Sequence, residues 1–172
     1  MTWVIVPAVA ALVALLAILI RNGLLRLRDA VQRSWASLDS LLLQRHDLLV
    51  EFVEICARHM RYEQGALERV AQTDAATFGA AARGDIPALA AAEKLLRASV
   101  ASLLALAENY PVLCAEPGFL TLRERVLRVS TAIIERRELY NSAVNLLNVR
   151  SQAFPHRMVA RASGFHAEAF FE

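Results

Sequence analysis

Lysine is almost missing from this chain. Lys94 stands alone among 19 basic residues, and every other one is arginine. The imbalance is a compositional bias, not a signature of one chemistry. Cysteine occurs twice, as Cys56 and Cys114, which excludes a disulfide-stapled scaffold. Neither belongs to a CxxC pair, so both read as small buried thiols in a reducing compartment. Six glycines are too few for a collagen-like repeat. Net charge is small as well. With 17 acids against 19 bases the balance is +2, which gives no electrostatic case for a nucleic-acid partner. The chain has no Gly-rich phosphate loop, no HExxH and no GxSxG. No segment alternates with period two, so no strand is expected.

What remains is apolar and helical. Hydrophobic residues make up 56% of the 172, which rules out disorder. Residues Trp3–Ile20 contain no charge, while all the charged side chains lie between Arg21 and Glu172. Eighteen helical residues span roughly 27 Å, close to the hydrocarbon thickness of a bilayer. Trp3 is placed as an interfacial anchor, and Pro7 falls within the first two turns, where a helix tolerates it better. A cleaved signal peptide wants basic residues ahead of the apolar run, and only Met1 and Thr2 precede this one. The following flank carries Arg21, Arg26, Arg28 and Arg33 against Asp29. By the positive-inside rule the N-terminus faces outward and the bulk of the chain is cytoplasmic, at the inner face of the membrane.

Proline and glycine divide the rest. A 4-3 apolar spacing predicts a helix over 24–62, through Leu24, Leu27, Val31, Leu38, Leu41, Arg45, Leu48, Phe52 and Ile55. A second helix is expected over 63–83, closing at Gly84. A third opens with Asp85 as N-cap and Pro87 in its first turn, runs through Leu89, Glu93, Leu96, Val100, Leu103 and Ala107, and stops before Pro111. A fourth covers 119–150, with Leu122, Val126, Val129, Ile133, Arg136, Tyr140, Ala143 and Leu147. The fold class is therefore all-α: an N-terminal transmembrane helix, then an antiparallel bundle of about four helices. Domain limits follow as an anchor at 1–22, a bundle at 23–153 and an aromatic tail at 154–172. The tail's Phe154, Phe165, Phe170 and Phe171 suit a segment folded back over the bundle or one docked on a membrane or partner.

Charges in the seams are the most specific internal feature. Glu93 and Arg136 each occupy an apolar position, and antiparallel pairing about residues 114 and 115 sets them opposite one another. A buried charge needs a partner, so Glu93 is expected near Arg136 or Arg137, with Arg45 able to join. The alternative is that Arg136 snorkels to water. His46-Asp47 resembles an acid–base pair, but adjacent helical residues diverge and both fall away from the predicted core. Asn109-Tyr110-Pro111 reads as a helix terminus, with the tyrosine hydroxyl outward. The Glu-x-x-His repeats of carboxylate-bridged metal bundles do not occur.

Several of these motifs together resemble the LemA family of bacterial membrane-anchored helical proteins. They are Leu27-Arg28 and Trp35, Gln44-Arg45-His46-Asp47-Leu48, Ala107-Glu108-Asn109-Tyr110-Pro111 and Phe119-Leu120-Thr121-Leu122. Tyr140-Asn141-Ser142-Ala143-Val144, Asn148, Phe154-Pro155, Gly164-Phe165 and the closing Phe170-Phe171-Glu172 complete the pattern. The resemblance implies a single-pass anchor and a helical bundle, and it supplies no catalytic chemistry. The chain departs from the family pattern at Leu49-Val50-Glu51-Phe52, at Arg58-His59 and Tyr62-Glu63, and at Ser130-Thr131-Ala132. The expectation is a non-enzymatic, membrane-tethered scaffold or interaction module, without cofactor or metal. It would be held in the bilayer by residues 3–20 and bind a protein partner or itself through Arg45, His46, Asp47, Asn109 and Tyr110. The alternatives are a metal- or ligand-binding site between helices, or binding of anionic lipid through the basic flank.

Overall fold

The computed structural model describes residues 2–171, with the side chains of residues 5–171. The interfacial role expected of Trp3 and the part of Glu172 in the terminal motif lie outside the described side chains. The chain is all-α. Six helices run in order: α1 Thr2–His59, α2 Gln64–Arg83, α3 Ile86–Ala107, α4 Pro111–Cys114, α5 Pro117–Gln152 and α6 His156–Ala162. No strand occurs among the described residues.

α1 is continuous through Asn22-Gly23, so the apolar segment and the first bundle helix are one element. Leucine and alanine dominate both sides of that dipeptide, and one glycine costs only about 1 kcal/mol inside a helix. The N-terminal part of α1 is long and apolar enough to cross a membrane. Its large side chains, from Ile5 and Val6 to Ile18 and Leu19, are exposed. α1 ends three residues earlier than its spacing suggests. A turn closed by the Glu63 N–H on the Met60 carbonyl separates it from α2.

α2 and α3 pack on each other as a hairpin. Gly84 makes the reversal at φ +64, a left-handed conformation that favours glycine, and its N–H reaches the carbonyls of Ala80 and Ala81. Asp85 then caps α3 by accepting a 3.1 Å hydrogen bond from the Ala88 N–H. Two elements were not apparent from spacing: the single turn α4, which Pro111 opens rather than merely preceding a loop, and α6 in the tail.

The helices form two compact units. One holds residues 36–138 with Phe171, and contains the C-terminal part of α1, the α2–α3 hairpin, α4 and the first half of α5. Its core includes Leu38, Leu49, Phe52, Met60, Leu89, Leu96, Leu103, Leu113 and Phe119, all at most 1% exposed. Phe52 and Phe119 stack with centroids 5.4 Å apart.

The other unit comprises residues 2–35 and 139–170. Trp35 meets Tyr140 edge-on at 5.7 Å. The tail is tied to α5: Asn148 donates to the Glu168 carbonyl at 2.9 Å and accepts from the Glu168 N–H at 3.0 Å. The Tyr140 hydroxyl donates to the Ala169 carbonyl at 3.0 Å. Arg28 lies over the Phe165 ring, 5.9 Å from its centroid. The tail phenylalanines divide between burial and exposure: Phe171 is fully buried, while Phe154 is 79% and Phe170 40% exposed.

Candidate functional site

The sharpest chemistry in the chain is a polar layer between α1, α2 and α3. Arg45 and Glu93, each 3% exposed, form a bidentate pair. Arg45 Nη1 donates to Glu93 Oε1 at 2.7 Å and Nη2 donates to Oε2 at 2.5 Å. Arg97 stands 4.0 Å from Oε1 on its more exposed side. The expected partnership of Glu93 with Arg136 is therefore corrected: Glu93 belongs to Arg45, and Arg136 is exposed on α5.

The reason lies in helical phase. The buried stripe of α5 runs through Leu122, Val126, Val129 and Ile133, then skips to Tyr140, Val144 and Leu147. Between Ile133 and Tyr140 the inward position is taken by half-buried Arg137, a step of four rather than three. A 3.6-residue helix drifts from a strict 3.5 repeat, and a four-residue step resets it. That step turns Arg136 to water.

His46 is the second member of the layer. It was expected on a solvated face beside Asp47, and this too is corrected. α2 covers that flank of α1, leaving His46 half-buried and Asp47 exposed. His46 Nδ1 lies 2.6 Å from Asp74 Oδ2, and Phe78 stacks on the imidazole with centroids 4.6 Å apart. Asp74 is buried, and its burial pushes the carboxyl above its ordinary range. The hydrogen bond and charge of His46, with the charge of Arg45, work against that rise. Asp74 carries a signal in the sequence itself. The buried face of α2 is Leu67, Val70, Asp74, Thr77 and Ala80, so an acid occupies an otherwise apolar spacing.

Asn109 and Tyr110 sit elsewhere, where the α1–α2 and α3–α4 connections meet. The Tyr110 hydroxyl donates to Glu63 Oε1 at 3.4 Å, and His59 Nδ1 lies 3.5 Å from Glu116 Oε2. Asn109 is exposed, and its N–H closes on the Leu106 carbonyl at the end of α3. Asn109, Tyr110 and His59, together with Arg58 and Arg61, border a depression of about 380 Å³. Tyr62, 96% exposed, lies in the α1–α2 connection, and Val112, 73% exposed, lies in α4.

Asp74 orients His46, but no hydroxyl or thiol is hydrogen-bonded to the ring among the described residues. Burial pushes the Cys56 thiol up to about 12, which makes it a poor nucleophile. No group of three or more His, Cys, Asp or Glu converges to hold a metal ion among the described residues.

The comparisons with known proteins agree with the motifs. No curated protein matches the chain. The model of the LemA family matches residues 34–172, which takes in the bundle, the polar layer, the connections at Tyr110 and the whole of the pinned tail. The chain belongs to the LemA family.

Proposed function

We propose that this chain is a membrane-tethered, non-catalytic interaction module. The observation that carries the reading is the continuity of α1: an uncharged, exposed apolar run passes without a break into the first helix of a packed bundle. Water does not favour nine or more large apolar side chains exposed along one helix, whereas a bilayer does. The arginines at 21, 26, 28 and 33 favour the orientation in which the bundle lies on the cytoplasmic side of a bacterial inner membrane.

The geometry divides the five residues first singled out for interaction. Arg45 is consumed by Glu93, and His46 is engaged by Asp74. Both serve the interior of the bundle. Asn109 and Tyr110 remain candidates for a partner, because they border an open depression beside exposed Tyr62 and Val112. An aromatic with neighbouring arginines is the composition of a binding hot spot. Asp47, exposed on α1, lies apart from this surface.

A photocrosslinking amino acid at Val112 in the full-length protein, irradiated in intact cells, tests the reading. Discrete adducts are expected there and not from the same probe at exposed Arg123. Tyr62→Ala with Arg61→Ala should weaken the adducts. Identical adducts from both positions, unchanged by the two substitutions, would overturn it.

A further inference from the structure

The tail places a second short helix against the apolar part of α1. α6 lies beside residues Val13–Arg21, and between them is a groove of about 540 Å³. Leu16 and Ile20 of α1 and Met158 and Val159 of α6 form its walls, with Arg21 and Ser163 in the same lining. The volume falls within the roughly 300–1,000 Å³ of small-molecule sites. α6 is a fixed wall. The Phe165 N–H closes its C-terminal end on the Ala160 carbonyl at 3.0 Å, and the segment beyond is held by Asn148 and Tyr140.

Depth and charge define the occupant. Val13 is eight residues before Arg21, about 12 Å along the helix, and half a bilayer core is about 15 Å. The groove therefore opens beside the leaflet on the arginine side. Arg157 and Arg161 are exposed one turn apart on α6, and Met158, exposed on the same helix, belongs with Val159 to its apolar side. Such a helix lies in an interface with its apolar side chains in the acyl boundary and its arginines at the headgroups. In this unit, Arg150, Arg157 and Arg161 add to the four arginines of the α1 flank, and only Asp29 and Glu168 oppose them. A second copy of so basic a surface would be repelled, whereas an anionic lipid is attracted on both counts.

The geometry points to a binding site for one anionic diacyl phospholipid, an acyl chain in the α1–α6 groove and its phosphate at Arg21, drawn in by the positive field of Arg157 and Arg161 on the neighbouring face of α6. This rests on the reading of α1 as a membrane span. It goes beyond a diffuse basic flank, because it specifies a bounded groove and a headgroup charge.

The test uses full-length protein in non-ionic detergent, titrated with phosphatidylglycerol or phosphatidylcholine. Retained lipid is read by native mass spectrometry and stabilisation by thermal unfolding. The parent should retain phosphatidylglycerol preferentially and unfold at a higher temperature with it. Arg157→Gln with Arg161→Gln should weaken that preference about thirtyfold, at the usual contribution of an interfacial arginine. Val159→Trp, which narrows the groove and leaves every charge in place, should weaken retention of both lipids. Equal retention of the two lipids by the parent, or retention by Val159→Trp equal to the parent's, would overturn the site. Carbonate extraction of native membranes separates the two levels. Release of the protein refutes the membrane span itself, whereas an integral protein without lipid preference refutes only the site.

Discussion

Removing one half of the Arg45–Glu93 pair is the most severe single change the structure identifies in its polar layer. Arg45→Met leaves the Glu93 carboxylate buried with two lost hydrogen bonds. Breaking a buried pair in this way costs about 3–5 kcal/mol. Arg97, 4.0 Å away and partly exposed, can swing toward the abandoned charge and offset part of the loss, so the low end of about 3 kcal/mol applies. For a chain of this size that is a fall of roughly 6–12 °C in Tm. Glu93→Leu strands a guanidinium with Asp74 as the remaining acid of the layer, and belongs in the same range. The double variant Arg45→Met, Glu93→Leu removes both charges and restores apolar packing. It should return to within about 1 kcal/mol of the parent or exceed it. Thermal and denaturant unfolding of the full-length protein in non-ionic detergent, followed by circular dichroism, gives the cycle. A double variant as unstable as either single one would refute the argument, because the loss would then come from packing and not from an uncompensated charge.

Three further outcomes follow from the same geometry. Asp74 titrates above its ordinary range because it is buried, so its contribution favours the folded state below the unfolded carboxyl pKa and is lost as pH rises through the folded one. Asp74→Asn should therefore unfold at a higher midpoint than the parent at pH 7, with the difference shrinking toward acid pH; a pH-independent loss would contradict this. Cys56 is buried with its thiol pushed up to about 12, whereas Cys114 is only half-buried. Maleimide should label Cys114 first in the folded protein and both cysteines in denaturant, as peptide mapping would show. Asn148→Ala removes both side-chain hydrogen bonds to Glu168 and should cost about 1–3 kcal/mol, read as faster proteolysis of the tail than of the bundle.

The helices were legible in sequence where an apolar period met explicit punctuation. Asp85, Pro87 and Gly84 mark the α2–α3 reversal, and the structure uses each of them. Asn22-Gly23 has no second breaker beside it, and α1 runs through. The site was half legible. Arg45 and Glu93 declared themselves as charges on apolar spacing, but their pairing depends on which helices are neighbours. Counting back from a loop assumed that α3 turns directly into α5, whereas α4 intervenes. A helical wheel treats a helix as covered on one face, whereas α1 is also covered by α2, whose Asp74 and Phe78 half-bury His46. The pinning of the tail was invisible to periodicity, since it depends on backbone groups of residues 168 and 169 meeting side chains 20 or more positions away.

Buried charge is an expensive way to hold three helices together, which raises the question of what the layer contributes. α2 is rich in alanine, and an alanine face packs almost as well after a one-turn slip as before it. Arg45 and His46 are consecutive, yet one engages α3 through Glu93 and the other engages α2 through Asp74. Only one register of the α2–α3 hairpin on α1 satisfies both, so the layer selects a single packing among several of similar apolar burial. This predicts the behaviour of a chain carrying Arg45→Met, His46→Leu, Asp74→Leu and Glu93→Leu together. Its far-ultraviolet circular dichroism should match the parent, and its stability should be equal or higher. Its unfolding transition should broaden, and it should bind a hydrophobic dye that the parent excludes under the same detergent conditions. A sharp transition with no dye binding would mean that the apolar seams alone fix the register, and the polar layer would then have to be explained by an interaction with another molecule.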